Sequence, residues 1–188
     1  MRNILDRRQM LALGGAALGG AAASLVLPRP ALAAIQQPPT RSLKFYNLHT
    51  GESLATTYCV DGTCEPEALA EIRTFLRDFR TGDEHDIDVR LLDLLASLKR
   101  KAETDEPFQV ISGYRSPKTN QMLHKASSGV ATHSLHMEGQ AIDVRLPGRK
   151  LTWLRNTALD LRRGGVGYYP KSDFVHVDVG RVRQWAGS

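Results

Sequence analysis

Apolar and polar positions along this chain change period several times, and each change predicts an element. In "LKFYNLHTGESLATTYCV", Leu43 to Val60, the two kinds alternate on both sides of His49-Thr50-Gly51-Glu52, the pattern of a β-hairpin around a turn. The period then lengthens. In "EPEALAEIRTFLRDFR", residues 65–80, Leu69, Ile72, Phe75, Leu76 and Phe79 recur at helical spacing behind Pro66. "DVRLLDLLASLKRKAE", residues 88–103, repeats the helical pattern with Leu91, Leu92, Leu94, Leu95 and Leu98. Its closing Lys99, Arg100 and Lys101 suit the negative end of a helix dipole.

The second half reads as short strands alternating with helices. "FQVISGY", Phe108 to Tyr114, is a buried strand. "SPKTNQMLHKA" is a short helix with Ser116 as N-cap and Pro117 in the first position. "GQAIDVRL" is a second strand, "TWLRNTALDLRRGG" a helix stopped by Gly164-Gly165. "VGYYP" and "DFVHVDV" close the chain as two strands around Pro170-Lys171-Ser172. The fold class is α+β, a small mostly antiparallel sheet with helices packed on it.

Strand alternation also sorts side chains by face. Asp143 points away from Ile142 and Val144, and shares its face with Arg145, so a simple ion pair is open to it. Phe174, His176 and Asp178 share one face, and Val175, Val177 and Val179 the other. An ionised Asp on an otherwise apolar strand is costly to bury without partners.

The N-terminus follows another logic. Arg2, Arg7 and Arg8 precede a run from Met10 to Leu27 that has no charge, followed by Pro28 and Ala31-Leu32-Ala33. Residues 1–33 therefore read as an export signal cleaved after Ala33, twin-arginine-like in "DRRQMLAL". At about 18 apolar residues the run is also just long enough for an uncleaved membrane anchor. Residues 34–41 read as a linker and 42–188 as the working domain. The signal carries four arginines and one aspartate of the chain's 25 basic and 20 acidic residues, leaving +2 on the rest. The basic excess therefore argues for the export machinery as a partner and against nucleic acid. Cys59 and Cys64 flank Asp61-Gly62, a turn signal, and an exported chain favours a disulfide between them over a metal site.

The chemistry concentrates in "GVATHSLHMEGQAIDVRL", Gly129 to Leu146, which holds His133, His136, Glu138 and Asp143. With His176 and Asp178 these are the residue types that hold zinc, which takes three protein ligands and an open position in catalytic sites. On the residues alone, a metal site and a set of solvated polar groups both remain open.

"SLHMEGQAID" reads S-x-H-x-x-G-x-A-x-D, with "SGYRS" at Ser112 to Ser116 upstream and "FVHVDVG" downstream. In that order these motifs resemble the zinc peptidases of the D-Ala-D-Ala carboxypeptidase type, in the lysostaphin and hedgehog-related superfamily. "NLHTGES", "RRGGVGYYP" and the terminal Trp185 extend the resemblance over most of the chain. It implies that the metal is Zn2+ and that its ligands are His136, Asp143 and His176. It also implies a periplasmic hydrolase acting on peptidoglycan cross-links, L,D-type between two meso-diaminopimelate residues. A D,D-carboxypeptidase or D,D-endopeptidase is the second reading, and a non-catalytic zinc-containing wall-binding protein the third. For the general base, relatives place an acid three before the last histidine, which is Asp173 here; Asp178, on the face of His176, is the other candidate. Arg115, with Tyr114 beside it, falls where relatives bind substrate. His133, outside the motif, is a candidate substrate group or a solvated loop residue, and Glu138 a surface one.

Overall fold

The computed structural model describes residues 38–126 and 129–187. The predicted export signal, its cleavage point and most of the linker lie outside the described residues. The last two linker residues, Thr40 and Arg41, already belong to the first strand.

Eight strands form one sheet: β1 (Thr40–Asn47), β2 (Ser53–Val60), β3 (Thr63–Cys64), β4 (Phe108–Ser112), β5 (Ala141–Arg145), β6 (Gly165–Tyr169), β7 (Phe174–Asp178) and β8 (Arg183–Ala186). Their order across the sheet is β3-β2-β1-β4-β5-β7-β6-β8. Antiparallel pairing predominates, but β1 with β4 and β6 with β8 run parallel, so the sheet is mixed and larger than the sequence suggested. The pattern failed at the short ends: β3 has two residues and β8 four, below the length at which alternation is distinctive.

Four helices accompany the sheet: α1 (Pro66–Phe75), α2 (Val89–Ala102), α3 (Pro117–Ala126) and α4 (Leu151–Leu161). Ile142, Val144, Val175 and Val177 form one core with Leu91, Leu92, Leu95 and Leu98 of α2 and Leu154 and Ala158 of α4. That leaves the opposite face of β5 and β7 for Asp143, His176 and Asp178. Among the described residues no helix is long and apolar enough to cross a membrane.

Two helices end short of the segment the sequence assigned to them, each for a local reason. Helix α1 stops at Phe75, short of Phe79, because the next residues serve another segment. The Leu76 carbonyl accepts from Tyr114 N–H (2.8 Å) and the Asp78 carboxylate from Ser116. Helix α4 stops when Arg162 turns left-handed (φ 51°), and Gly165 is already β6. At the far edge of the sheet, Cys59 and Cys64 face each other across β2 and β3 and form a disulfide.

Candidate metal centre

Three side chains from two strands and one loop converge. Asp143 and His176 are direct cross-strand partners on β5 and β7. His136 arrives on a short 3-10 helix, Leu135–Glu138, that ends on Gly139. Gly139 has φ 63°, and a Cβ there would run into the Asp86 carbonyl. A residue with a side chain would meet both penalties, so glycine is what lets the loop turn into β5. All three ligand candidates are buried, at 2%, 6% and 9% exposure for His136, Asp143 and His176.

Their hydrogen bonds decide which atoms face inward. His136 Nδ1 lies 2.7 Å from the Gly113 carbonyl, an acceptor only, so Nδ1 carries the proton and Nε2 is bare. His176 Nε2 lies 3.1 Å from Asp178 Oδ2, so its proton belongs there and Nδ1 is bare. The two bare nitrogens meet at 3.2 Å, and Asp143 Oδ1 stands 3.3 Å from one and 2.9 Å from the other. Three acceptors facing one point repel one another unless a proton or a cation lies among them. Zn–N bonds of about 2.0–2.1 Å in a tetrahedron put ligand atoms roughly 3.3 Å apart, so the donor set and its spacing fit zinc. Among the described residues this is the cluster suited to holding a metal ion.

The same contacts shift how each of the three groups titrates. Burial pushes His176 down, but its bonds to Asp143 and Asp178 outweigh that and raise it above an ordinary histidine. Burial wins at His136, which is held low despite Asp143. Asp143 sits far below the carboxylate range because both histidines outweigh its burial.

Around the cluster, Arg115 lies on its rim. Its N–H donates to the His136 carbonyl (3.1 Å), and its guanidinium stands 3.6 Å from Asp143 Oδ2 and 3.5 Å from Asn120 Oδ1. Its Nε is buried and has no partner. The Tyr114 ring is stacked on His85 at 5.0 Å. His133 is exposed and is not one of the three converging residues, nor is the exposed Glu138.

The two candidate bases separate. Asp178 is fully buried, and its carboxylate meets the His176 nitrogen that faces away from the cluster. It holds a ligand and does not reach the point where the three meet. Asp173 stands at the β6–β7 turn in a left-handed conformation (φ 54°), 2.6 Å from Arg145. Since Arg145 shares the face of Asp143, the Asp173 carboxylate lies on the ligand-bearing side of the sheet.

Several contributors escaped sequence reasoning. The Gly113 carbonyl sets the His136 tautomer, and nothing in a glycine codon position announces that. Gly165 and Gly167 did carry a signal, because alternate glycines in a strand mark a close approach on one face.

Comparison with known proteins gives the family. Residues 35–185 match the M15_2 peptidase family model described as peptidoglycan L,D-endopeptidase MepK. The chain is 46% identical over 180 residues to the peptidoglycan L,D-endopeptidase MepK of Escherichia coli strain K12, covering 96% of this chain and 97% of that one. It is 40% identical over 187 residues to the probable peptidoglycan L,D-endopeptidase MepK of Haemophilus influenzae, covering 97% and 96%. With a family match across most of its length, the chain belongs to the MepK family of M15 peptidases.

Proposed function

We propose that this protein is an exported zinc-dependent endopeptidase that hydrolyses peptide cross-links of peptidoglycan, with L,D specificity for bonds between two meso-diaminopimelate residues. The observation that carries this reading is the convergence of two bare imidazole nitrogens and one carboxylate beside a buried arginine with an unpartnered Nε. The names of the relatives support the substrate class and the bond type.

His136, Asp143 and His176 would hold the zinc ion. When bound, it supplies Lewis acidity to the scissile carbonyl and to a water molecule. The remaining work falls to the chain. The Gly113 carbonyl and Asp178 keep each histidine's proton off the ligand nitrogen. Arg115 offers fixed positive charge, where an amide oxygen gains negative charge as its carbonyl is attacked. Asp173 takes the proton from the water and returns it to the leaving amine; it is the acid on the ligand face that remains solvent-accessible. Action on peptidoglycan places the protein in the periplasm, reached through the signal in residues 1–33.

The test is digestion of purified cross-linked muropeptides with zinc and again with a chelator, the products identified by mass. Cleavage between two meso-diaminopimelate residues that stops on chelation and in His136→Ala is the expected outcome. Cross-links that stay intact with zinc present would leave the wall-binding reading, and cleavage only at D-Ala bonds would leave the D,D one.

A further inference from the structure

We propose that the last strand, β8, is a clamp for the ligand His176, with Arg183 and Trp185 as its positioning residues. The inference rests on the reading that the cluster binds zinc, and it adds what fixes the ligand's orientation. An imidazole can present Nδ1 to the cluster only in one ring flip. Two contacts from β8 hold the ring: one selects that flip and the other fixes its plane.

The first acts through Asp178. Its Oδ1 accepts from Gly165 N–H (2.9 Å), Gly180 N–H (2.9 Å) and the Arg183 guanidinium (3.0 Å). Its Oδ2 accepts from Arg183 (2.7 Å) and stands 3.1 Å from His176 Nε2. The arginine grips both oxygens, a bidentate geometry that fixes direction as well as charge. Without it a fully buried carboxylate would keep its charge with no permanent cation beside it. The second contact is direct. The Trp185 indole packs 5.1 Å from the His176 imidazole, centroid to centroid. It reaches there because Gly167, the residue between them in the sheet, has no side chain. A Cβ at Gly167 would lie 2.6 Å from the indole. The indole is itself pinned, donating from Nε1 to Tyr169 Oη (2.9 Å) with the Arg183 guanidinium 4.9 Å from its ring. Arg183 and Trp185 thus brace each other and grip the imidazole from its far nitrogen and its side.

The experiment measures zinc affinity by chelator competition on metal-free protein, with the urea midpoint as a fold check and the visible spectrum of the cobalt form as a second readout. Residues that orient a metal ligand change affinity by roughly 10–100-fold. Arg183→Gln and Trp185→Ala are expected to weaken zinc within that range and to shift the cobalt bands, while Gln184→Ala, exposed on the same strand, changes neither. Arg183→Lys is expected to recover part of the loss. Zinc affinity within twofold of wild type in both variants overturns the clamp, as does an equal loss in Gln184→Ala, which would mark general fraying of the strand. If either variant does not fold, Arg183→Lys and Trp185→Phe are judged by the same thresholds. A wild-type protein that takes up no zinc overturns the metal reading and the clamp together.

Discussion

Asp78→Asn changes one heavy atom and tests how Arg115, the proposed substrate-binding arginine, is held. Asp78 is 2% exposed. Its Oδ1 accepts from Arg80 N–H (3.0 Å), and its Oδ2 from Ser116 N–H (2.9 Å) and Ser116 Oγ–H (2.7 Å). An asparagine has one acceptor oxygen. Turned to Ser116, its amide group meets Arg80 N–H; turned to Arg80, it meets Ser116 N–H. Turned to Arg80 it strands the buried Ser116 N–H, at about 1–3 kcal/mol; turned to Ser116 it strands the Arg80 N–H of an exposed residue, which water can partly satisfy, and in both cases the surviving bonds lose their charge assistance at about 1 kcal/mol. The expected loss is about 2 kcal/mol, on the order of 6 °C in Tm for a domain of this size. Burial raises the Asp78 carboxyl, but its donors Thr119, Ser116 and Arg80 together hold it below the usual range. A carboxyl whose folded value is depressed contributes its full stability above the unfolded value near 3.9, and loses it as pH falls through the folded value. Urea denaturation of both proteins at pH 7 and pH 3 is the assay, and the gap between them should narrow at pH 3. A gap under 1 kcal/mol at pH 7, or one equal at both values, would refute the reasoning. Arg115 precedes Ser116, so KM for muropeptides should rise in the same variant.

Asp173→Asn should lower kcat by at least 100-fold with zinc affinity unchanged, whereas Asp178→Asn should weaken zinc first; zinc titration beside steady-state kinetics separates them, and the reverse pattern would exchange their roles. Arg115→Lys keeps the charge but loses the planar donor fork, and should lower kcat/KM about tenfold with stability near wild type, checked by kinetics and thermal melting. Reducing the Cys59–Cys64 disulfide should cost about 2 kcal/mol from the short loop it closes. It should leave zinc affinity alone, because β2 and β3 lie at the edge of the sheet away from β5 and β7; a change in zinc affinity on reduction would count against that separation.

The alternation of Val175, Val177 and Val179 against His176 and Asp178 was readable because a strand has period two, and one of its faces packs on the core. The helical stripes of α1 and α2 were readable for the same reason at period 3.6. Tertiary structure alone decided what lies opposite what. The direct pairing of Asp143 with His176 depends on strand register, and a slip of one residue would send both to the other face. Asp178 and Asp173 were both candidate bases, one by its strand face and the other by its spacing in relatives. They differ because one carboxylate turns inward to Arg183 and the far side of His176, and the other outward to Arg145. The tautomer of His136 hangs on the Gly113 carbonyl, 23 residues away in sequence. Sequence carries residue types and periods, which come from local geometry. Direction and distance between segments arise only when the sheet closes, because they are set by packing across the chain.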